Sequence, residues 1–149
     1  MPAALAYFDT SVLVKRYVKE VGSPLACSLL RRQRFLSSAI APAEAMSAIR
    51  RRRAAGDLTE QHFVAILKRL ERDRAHWELV EVTHAVLSRA ESLIRETGLR
   101  TLDAIHLSSA LTFHLAAGTR VPFVTADAAQ RTAAEHLALD VIWVEGSAS

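Results

Sequence analysis

The chain has 149 residues, of which 50% are hydrophobic and 23% charged, and this suits one globular domain with a sizeable apolar core. Its single cysteine, Cys27, excludes a disulfide framework and a thiolate metal cluster. The N-terminus lacks the pattern of a signal peptide, and no uncharged apolar run could cross a bilayer, so we expect a soluble protein of the reducing cytoplasm.

Strand-like runs rich in β-forming residues alternate with helical patterns along the chain. In chain order, the pattern predicts a strand at 5–10, helices at 11–20 and 24–32, a strand at 34–40, helices at 42–55 and 60–77, a strand at 78–82, helices at 85–97 and 101–117, a strand at 121–127 that enters a further helix, and a last strand at 139–145. We expect helix N-caps at Ser23, Thr59 and Thr101 and helix ends at Gly56, Gly98 and Gly118.

Strands that alternate with helices are typical of a parallel sheet covered by helices on both faces. The fold class is therefore predicted to be α/β, with a central parallel sheet of about five strands. No internal repeat or linker divides the chain, so we expect one domain over residues 1–145 and a short C-terminal tail over 146–149.

Two aspartates stand at the carboxyl ends of predicted strands. Asp9 follows the strand of "LAYFDT", and Asp127 follows that of "VPFVTAD". Ligands of such sheets bind at the carboxyl ends of strands, where the strand order reverses. Each aspartate could instead serve only as the N-cap of the next helix, since Asp is favoured there.

Two further acids, Glu44 and Asp103, fall in the first turns of predicted helices. The helix dipole favours an anion at that position, which is a purely structural explanation. However, Asp103 shares its helix face with the apolar Leu107 and Leu111, and Glu44 lies among small apolar residues in "AIAPAEAMSAI". An ionised carboxylate in such surroundings is costly unless a cation meets it.

Four half-buried carboxylates without a Cys or His cluster match a hard divalent cation, Mg²⁺ or Mn²⁺, which prefers oxygen ligands. Such an ion neutralises a scissile phosphate and lowers the pKa of a bound water that attacks it. The acids therefore indicate phosphodiester hydrolysis.

Charge is distributed unevenly along the chain. Residues 1–75 carry 14 Lys or Arg against 7 Asp or Glu (net +7), and residues 76–149 carry 5 against 9 (net −4). A basic half hints at a polyanionic partner, although basic helix ends are also stabilised by the helix dipole. The candidates for nucleic-acid contact are Lys15, Arg16, Arg50, Arg51, Arg52 and Arg53.

His106 follows Asp103 by one helical turn on the same face. We interpret it as a hydrogen-bonded core histidine or one that supports the acids, and less readily as a metal ligand.

The motifs "FDTSVLVKRYVKEVGS", "APAEAMSAIRRRRAAGDLT", "TLDAIHLSSAL" and "PFVTADAAQ" resemble, in order and spacing, those of PIN-domain ribonucleases, particularly the VapC-like toxins of toxin–antitoxin pairs. The resemblance covers nearly the whole chain. It implies a metal-dependent endoribonuclease that acts on RNA, a cognate antitoxin partner and a homodimer.

By position, the resemblance puts the acidic site, both catalytic and metal-binding, on Asp9, Glu44, Asp103 and Asp127. Asp9 and Asp103 are expected to coordinate the metal directly, with Glu44 and Asp127 completing its shell. The hydroxyls that orient carboxylates or metal-bound waters are those of Thr10 or Ser11 and of Thr125. Some relatives carry a further acid after the last aspartate, where this chain has Ala128 and Ala129.

Three other classes of protein are alternatives. A phosphatase with a nucleophilic aspartate needs an acid two positions after Asp9, where this chain has Ser11, and a receiver domain needs a lysine later than Lys68, the last in the chain. A PIN-like module that binds RNA or protein without cleavage stays open, although all four acids are present.

Overall fold

The computed structural model describes residues 3–146, and within them five short strands form one sheet. The strands are β1 (Leu5–Phe8), β2 (Arg34–Ser38), β3 (Glu78–Val80), β4 (Phe123–Thr125) and β5 (Val141–Trp143). They are ordered β3-β2-β1-β4-β5, and each neighbouring pair is parallel. The predicted α/β class and the parallel sheet are therefore confirmed.

Seven helices among these residues cover both faces of the sheet. They are α1 (Thr10–Tyr17), α2 (Ser23–Arg32), α3 (Ala41–Ala54), α4 (Glu60–Arg74), α5 (His84–Thr97), α6 (Thr101–Ala117) and α7 (Ala128–His136). Successive side chains of a strand point to opposite faces, so Phe8 joins the core under α1 to α4, and Tyr7 joins the core under α5 to α7. Both side chains are fully buried.

Several predicted helix ends are confirmed. The Thr59 hydroxyl accepts a hydrogen bond from the His62 amide at 3.1 Å and caps α4. Gly98 and Gly118 end α5 and α6 with φ of 73° and 65°, in the left-handed region that favours glycine. Helix α4 ends at Arg74, before the predicted residue 77. The chain leaves the helix there because Trp77 packs against Phe35, with their ring centroids 5.0 Å apart.

Two predicted N-caps are wrong. Ser23 is the first residue of α2, and its hydroxyl accepts a hydrogen bond from the Glu20 amide at 3.0 Å, so it serves the preceding turn. Gly22 takes the cap position, where an added Cβ would lie 2.3 Å from a backbone oxygen of Glu145. Likewise, Thr101 is already helical and Arg100 is the cap of α6.

No helix in residues 3–146 is long and apolar enough to cross a membrane. Of the predicted tail, Gly146 belongs to the described part of the chain, and residues 147–149 lie outside it.

Candidate functional site

The candidate site lies at the carboxyl edge of the sheet between β1 and β4. Strands β2 and β3 lie on one side of β1 in the sheet, and β4 and β5 lie on its other side. The direction in which strands are added therefore reverses between β1 and β4. A cleft of about 860 Å³ opens at this edge. Its polar lining includes Thr10, Ser11, Lys15, Glu20, Glu44, Arg51, Arg52, Asp103, His106, Asp127 and Gln130.

Asp9 lies beneath the cleft and has no exposed surface. Its Oδ1 accepts hydrogen bonds from the Ser11 hydroxyl at 2.6 Å and the Val12 amide at 3.3 Å, and its Oδ2 accepts one from the Thr125 hydroxyl at 2.6 Å. Asp9 is thus the N-cap of α1, as the structural alternative predicted. Its Oδ1 accepts two hydrogen bonds, whereas Oδ2 accepts one and keeps a lone pair. Burial raises its pKa to about 6, despite the nearby His106 and these donors.

Glu44 lines the cleft from the first turn of α3. Its Oε1 accepts hydrogen bonds from the Thr10 hydroxyl and from Nε2 of His106, each at 2.6 Å. With the Nε2 hydrogen donated to Glu44, Nδ1 of His106 accepts from the hydroxyl of Tyr7 at 2.8 Å. Burial opposes ionisation of Glu44, but these hydrogen bonds outweigh it, and the pKa of Glu44 lies below its ordinary value.

Asp103 and Asp127 lie on the other side of the cleft, where Gln130 joins them. Asp103, in the first turn of α6, accepts a hydrogen bond at Oδ1 from the Gln130 side chain at 3.0 Å. Asp127 caps α7 and accepts at Oδ1 from the Gln130 amide at 2.9 Å. Burial and then the charge of Asp127 raise the pKa of Asp103. The nearest cation is Arg100, whose Nε lies 3.8 Å from Oδ2 of Asp103. Its side chain is 88% exposed, so it compensates the charge of Asp103 poorly.

The structure places each of the three predicted hydroxyls on a carboxylate. Thr10 donates to Glu44, and both Ser11 and Thr125 donate to Asp9. Ser11 also accepts a hydrogen bond from the backbone of Ala126, and Thr125 accepts one from that of Asp127. These contacts fix the hydroxyls, and through them the carboxylates, to the ends of β1 and β4.

The donor set fits a hard divalent cation in its chemistry. Glu44 Oε2, Asp103 Oδ2 and Asp127 Oδ2 accept no hydrogen bond from the described part of the chain, and all three residues line the cleft. These are carboxylate oxygens, which Mg²⁺ and Mn²⁺ prefer. Within residues 3–146, no three His, Cys, Asp or Glu side chains are gathered closely enough to hold an ion.

The basic residues divide into two groups. Of the six candidates, Lys15, Arg51 and Arg52 line the cleft. Arg16 instead pairs with Asp73 of α4 at 2.8 Å, and Arg53 pairs with Glu60. Arg50 is exposed outside the cleft. Two members of the arginine run therefore reach the cleft.

Lys15 and Arg52 are engaged by an acid that sequence reasoning missed. Glu20 accepts from the ammonium of buried Lys15 at 3.0 Å and from the guanidinium of Arg52 at 2.7 Å. Arg51 contacts only the hydroxyl of Ser47, at 2.7 Å, among the described residues. Arg51 is consequently the cleft-lining cation most available to an incoming anion.

Gln130 is the second residue that sequence reasoning missed. It joins Asp103 and Asp127 through its side chain and its backbone. The spacing in "DAAQ" was a usable signal, because an N-cap followed three residues later by Gln or Glu resembles a capping box. Here the Gln side chain reaches a different helix, which the local pattern could not indicate.

Comparisons with known proteins agree with this architecture. The family model of the PIN domain matches residues 6–136. The chain is 38% identical over 108 residues to "Ribonuclease VapC45" of Mycobacterium tuberculosis (strain CDC 1551 / Oshkosh), covering 72% of this chain and 75% of that protein. It is 37% identical over 140 residues to "Ribonuclease VapC46" of strain H37Rv, covering 93% and 97%.

Two solved structures share the fold at 19% identity. A toxin–antitoxin complex from Klebsiella pneumoniae matches with a TM-score of 0.55, over 82% of this chain and 86% of that one. A VapBC-5 structure from M. tuberculosis, of the VapBC family of toxin–antitoxin systems, matches with a TM-score of 0.57, over 97% and 99%.

Proposed function

The chain belongs to the PIN domain family, and we propose that it is a metal-dependent endoribonuclease and the toxin of a toxin–antitoxin pair. One observation carries the proposal. Glu44, Asp103 and Asp127 surround a single cleft at the carboxyl edge of the sheet, in a chain whose relatives are named ribonucleases. The nuclease domain spans residues 1–145.

Ribonucleases of this family generally depend on a divalent metal ion. The carboxylate oxygens favour Mg²⁺ or Mn²⁺ for this role. The residues that would hold the ion are Asp9, Glu44, Asp103 and Asp127. When bound, the ion would supply the charge that neutralises the scissile phosphate and lowers the pKa of the attacking water. Thr10 and His106 orient Glu44, and Ser11 and Thr125 fix Asp9 beneath the cleft.

The basic residues that line the cleft contact the phosphates of the RNA backbone. Arg51 and Arg52 lie on the last turns of α3 and line the same cleft as the acids. Phosphate contacts of this kind supply affinity without regard to base sequence. RNA is therefore held by its backbone while the carboxylates act on one phosphodiester.

A partner that occludes the cleft is needed, since an unrestrained ribonuclease damages its own host. The two solved neighbours come from toxin–antitoxin systems, which supports an antitoxin as that partner. A basic side chain of the antitoxin, preferably Arg, would pair with the cleft carboxylates and compete with the metal. The toxin acts in the cytoplasm as a homodimer, and sedimentation of the purified protein tests the dimer.

The decisive experiment is RNA cleavage by the purified chain in EDTA, Mg²⁺, Mn²⁺ or Zn²⁺. We expect cleavage with Mg²⁺ or Mn²⁺ and none in EDTA, and sequencing of the new RNA ends then identifies the target. Full activity in EDTA would contradict the metal mechanism. RNA binding without cleavage under every condition would favour the non-cleaving module.

The toxin role is tested separately. Expression of the chain alone should arrest growth, and purification from its native host should recover a small bound antitoxin. An active nuclease with no bound partner and no effect on growth would overturn the toxin role and leave the nuclease proposal standing.

A further inference from the structure

Gln130 lies between the two acids on one side of the cleft. It belongs to the first turn of α7, is only 4% exposed and lines the cleft. Its backbone amide donates to Asp127 Oδ1 at 2.9 Å, and its side-chain Nε2 donates to Asp103 Oδ1 at 3.0 Å. One residue therefore ties together two acids that belong to different helices.

The chemistry of the contact fixes how the amide is oriented. An oxygen of the ionised Asp103 carboxylate can only accept, so the Gln130 atom that lies 3.0 Å from it is the nitrogen of the NH₂ group. The amide carbonyl, Oε1, then points elsewhere. It is buried and finds no hydrogen-bond partner among residues 3–146.

Stability alone does not account for this side chain. A buried carbonyl without a partner destabilises the folded state, and an apolar side chain of similar size would avoid that cost. The amide also keeps two like charges close together, and the charge of Asp127 already contributes to the raised pKa of Asp103. Such an arrangement is favourable only when something cationic occupies the cleft.

We propose that Gln130 is a positioning residue that holds the carboxylates of Asp103 and Asp127 together at the cleft, so that both serve the same cation. This inference rests on the metal-dependent function proposed above. Because the amide is neutral, it binds one oxygen of Asp103 without adding a charge that the ion would have to overcome. The backbone amide of the same residue binds one oxygen of Asp127, so a single residue fixes both carboxylates.

The test replaces Gln130 with Met, which conserves length and approximate volume and removes both amide groups. We expect Gln130→Met to keep or raise the melting temperature in EDTA, since the unpartnered carbonyl is gone. Its dissociation constant for Mn²⁺, measured by calorimetry without RNA, should rise about 10-fold or more, as for other residues that orient metal ligands. Gln61→Met, on the exposed surface of α4, is the matched control and should leave the Mn²⁺ affinity unchanged.

A second variant keeps the length and changes the charge. Gln130→Glu places a third carboxylate beside Asp103 and Asp127, so at pH 8 its melting temperature in EDTA should fall below that of the wild type. Saturating Mn²⁺ should recover more of the lost melting temperature in Gln130→Glu than it adds to Gln130→Met. This difference would not arise if Gln130 merely filled space.

The outcomes separate this inference from the proposed function. If the wild type binds Mn²⁺ and cleaves RNA while Gln130→Met matches it in both, the positioning role is overturned and the nuclease stands. A lower melting temperature of Gln130→Met in EDTA with unchanged Mn²⁺ affinity would make Gln130 structural and also overturn the role. A wild type that neither binds Mn²⁺ nor cleaves RNA would overturn the function and the inference together.

Discussion

Carboxylates on the two sides of the cleft have opposite pKa shifts. On the Glu44 side, formed by Thr10, Glu44 and His106, one carboxylate accepts hydrogen bonds from a hydroxyl and an imidazole, and its pKa is lowered. On the Asp103 side, formed by Asp103, Asp127 and Gln130, the two carboxylates accept from the side-chain amide and the backbone amide of Gln130, and the pKa of Asp103 is raised. The chain thus stabilises the charge with hydrogen bonds on one side and leaves it poorly compensated on the other.

This difference indicates which side of the cleft contributes most to the affinity for a cation. A divalent ion near the Asp103 side relieves repulsion between two acids, whereas near Glu44 it meets a carboxylate that the protein already stabilises. The Asp103 side should therefore supply most of the affinity, and the Glu44 side a fixed ligand geometry. Substitutions on each side can break or sharpen this contrast.

The largest effect is expected from Asp103→Asn. Loss of this carboxylate should reduce RNA cleavage at least about 100-fold, since even residues that only orient metal ligands are worth 10- to 100-fold. The melting temperature in EDTA should hold or rise, because the repulsion from Asp127 is relieved. Asp140→Asn, on an exposed residue outside the cleft, is the control. Cleavage at the parental rate in Asp103→Asn would show that the assigned site is wrong.

The next effect concerns Asp9 and pH in the absence of metal. Its folded-state pKa of about 6 lies above the ordinary value of 3.8, so protonated Asp9 favours the folded state. This contribution is fully present below about pH 4 and is lost as pH rises through 6, at a cost of about 3 kcal/mol in the free energy of unfolding. Denaturant unfolding in EDTA between pH 4 and 8 measures it.

Asp9→Asn supplies the control for this pH effect, because it removes the titrating group. Its stability should vary less over the same range. Mg²⁺ should correspondingly raise the wild-type melting temperature more at pH 8 than at pH 5. At pH 5 the ion must displace protons that the carboxylates still bind, and this weakens its binding. An equal stability loss in wild type and Asp9→Asn would assign the pH dependence to other groups.

His106→Leu tests the Glu44 side. Without the Nε2 donor, Glu44 loses one of its two hydrogen bonds at Oε1, and the affinity for Mn²⁺ should fall about 10-fold. His106→Gln, which can still present an NH donor, should recover part of this loss. A smaller loss than that of Gln130→Met would support the greater share assigned to the Asp103 side, and a larger one would reverse the comparison.

The smallest effect is expected from the basic lining. Changing Arg51 and Arg52 together to Gln should weaken RNA binding for all sequences and flatten its log–log dependence on salt by roughly 0.7 per lost phosphate contact. Arg31 and Arg32, exposed at the end of α2 and outside the cleft, give a matched double substitution with the same charge change. Equal salt slopes in the two double variants would show that Arg51 and Arg52 are solvated residues at a helix end that do not contact phosphates.

The fold was predictable because its signals are local. Runs of β-forming residues alternate with helical periodicity, and glycines mark several helix ends, so the α/β class and the parallel sheet follow from the chain alone. The resemblance of four motifs to PIN-domain ribonucleases of the VapC type is likewise confirmed. The caps at Ser23 and Thr101 were misplaced by one residue, because local sequence defines a helix boundary only to within one or two residues.

What the sequence determined by itself is which residue types stand at the ends of which elements. It placed Asp9 and Asp127 after strands, Glu44 and Asp103 in first helical turns, and Arg50 to Arg53 at a helix end. Tertiary structure alone decided their surroundings, because contacts such as Gln130 to Asp103 and His106 to Glu44 join residues on different helices. Burial, these hydrogen bonds and the neighbouring charge lower the pKa of Glu44 and raise that of Asp103, so hydrogen bonds stabilise the charge on one side of the cleft and leave it poorly compensated on the other.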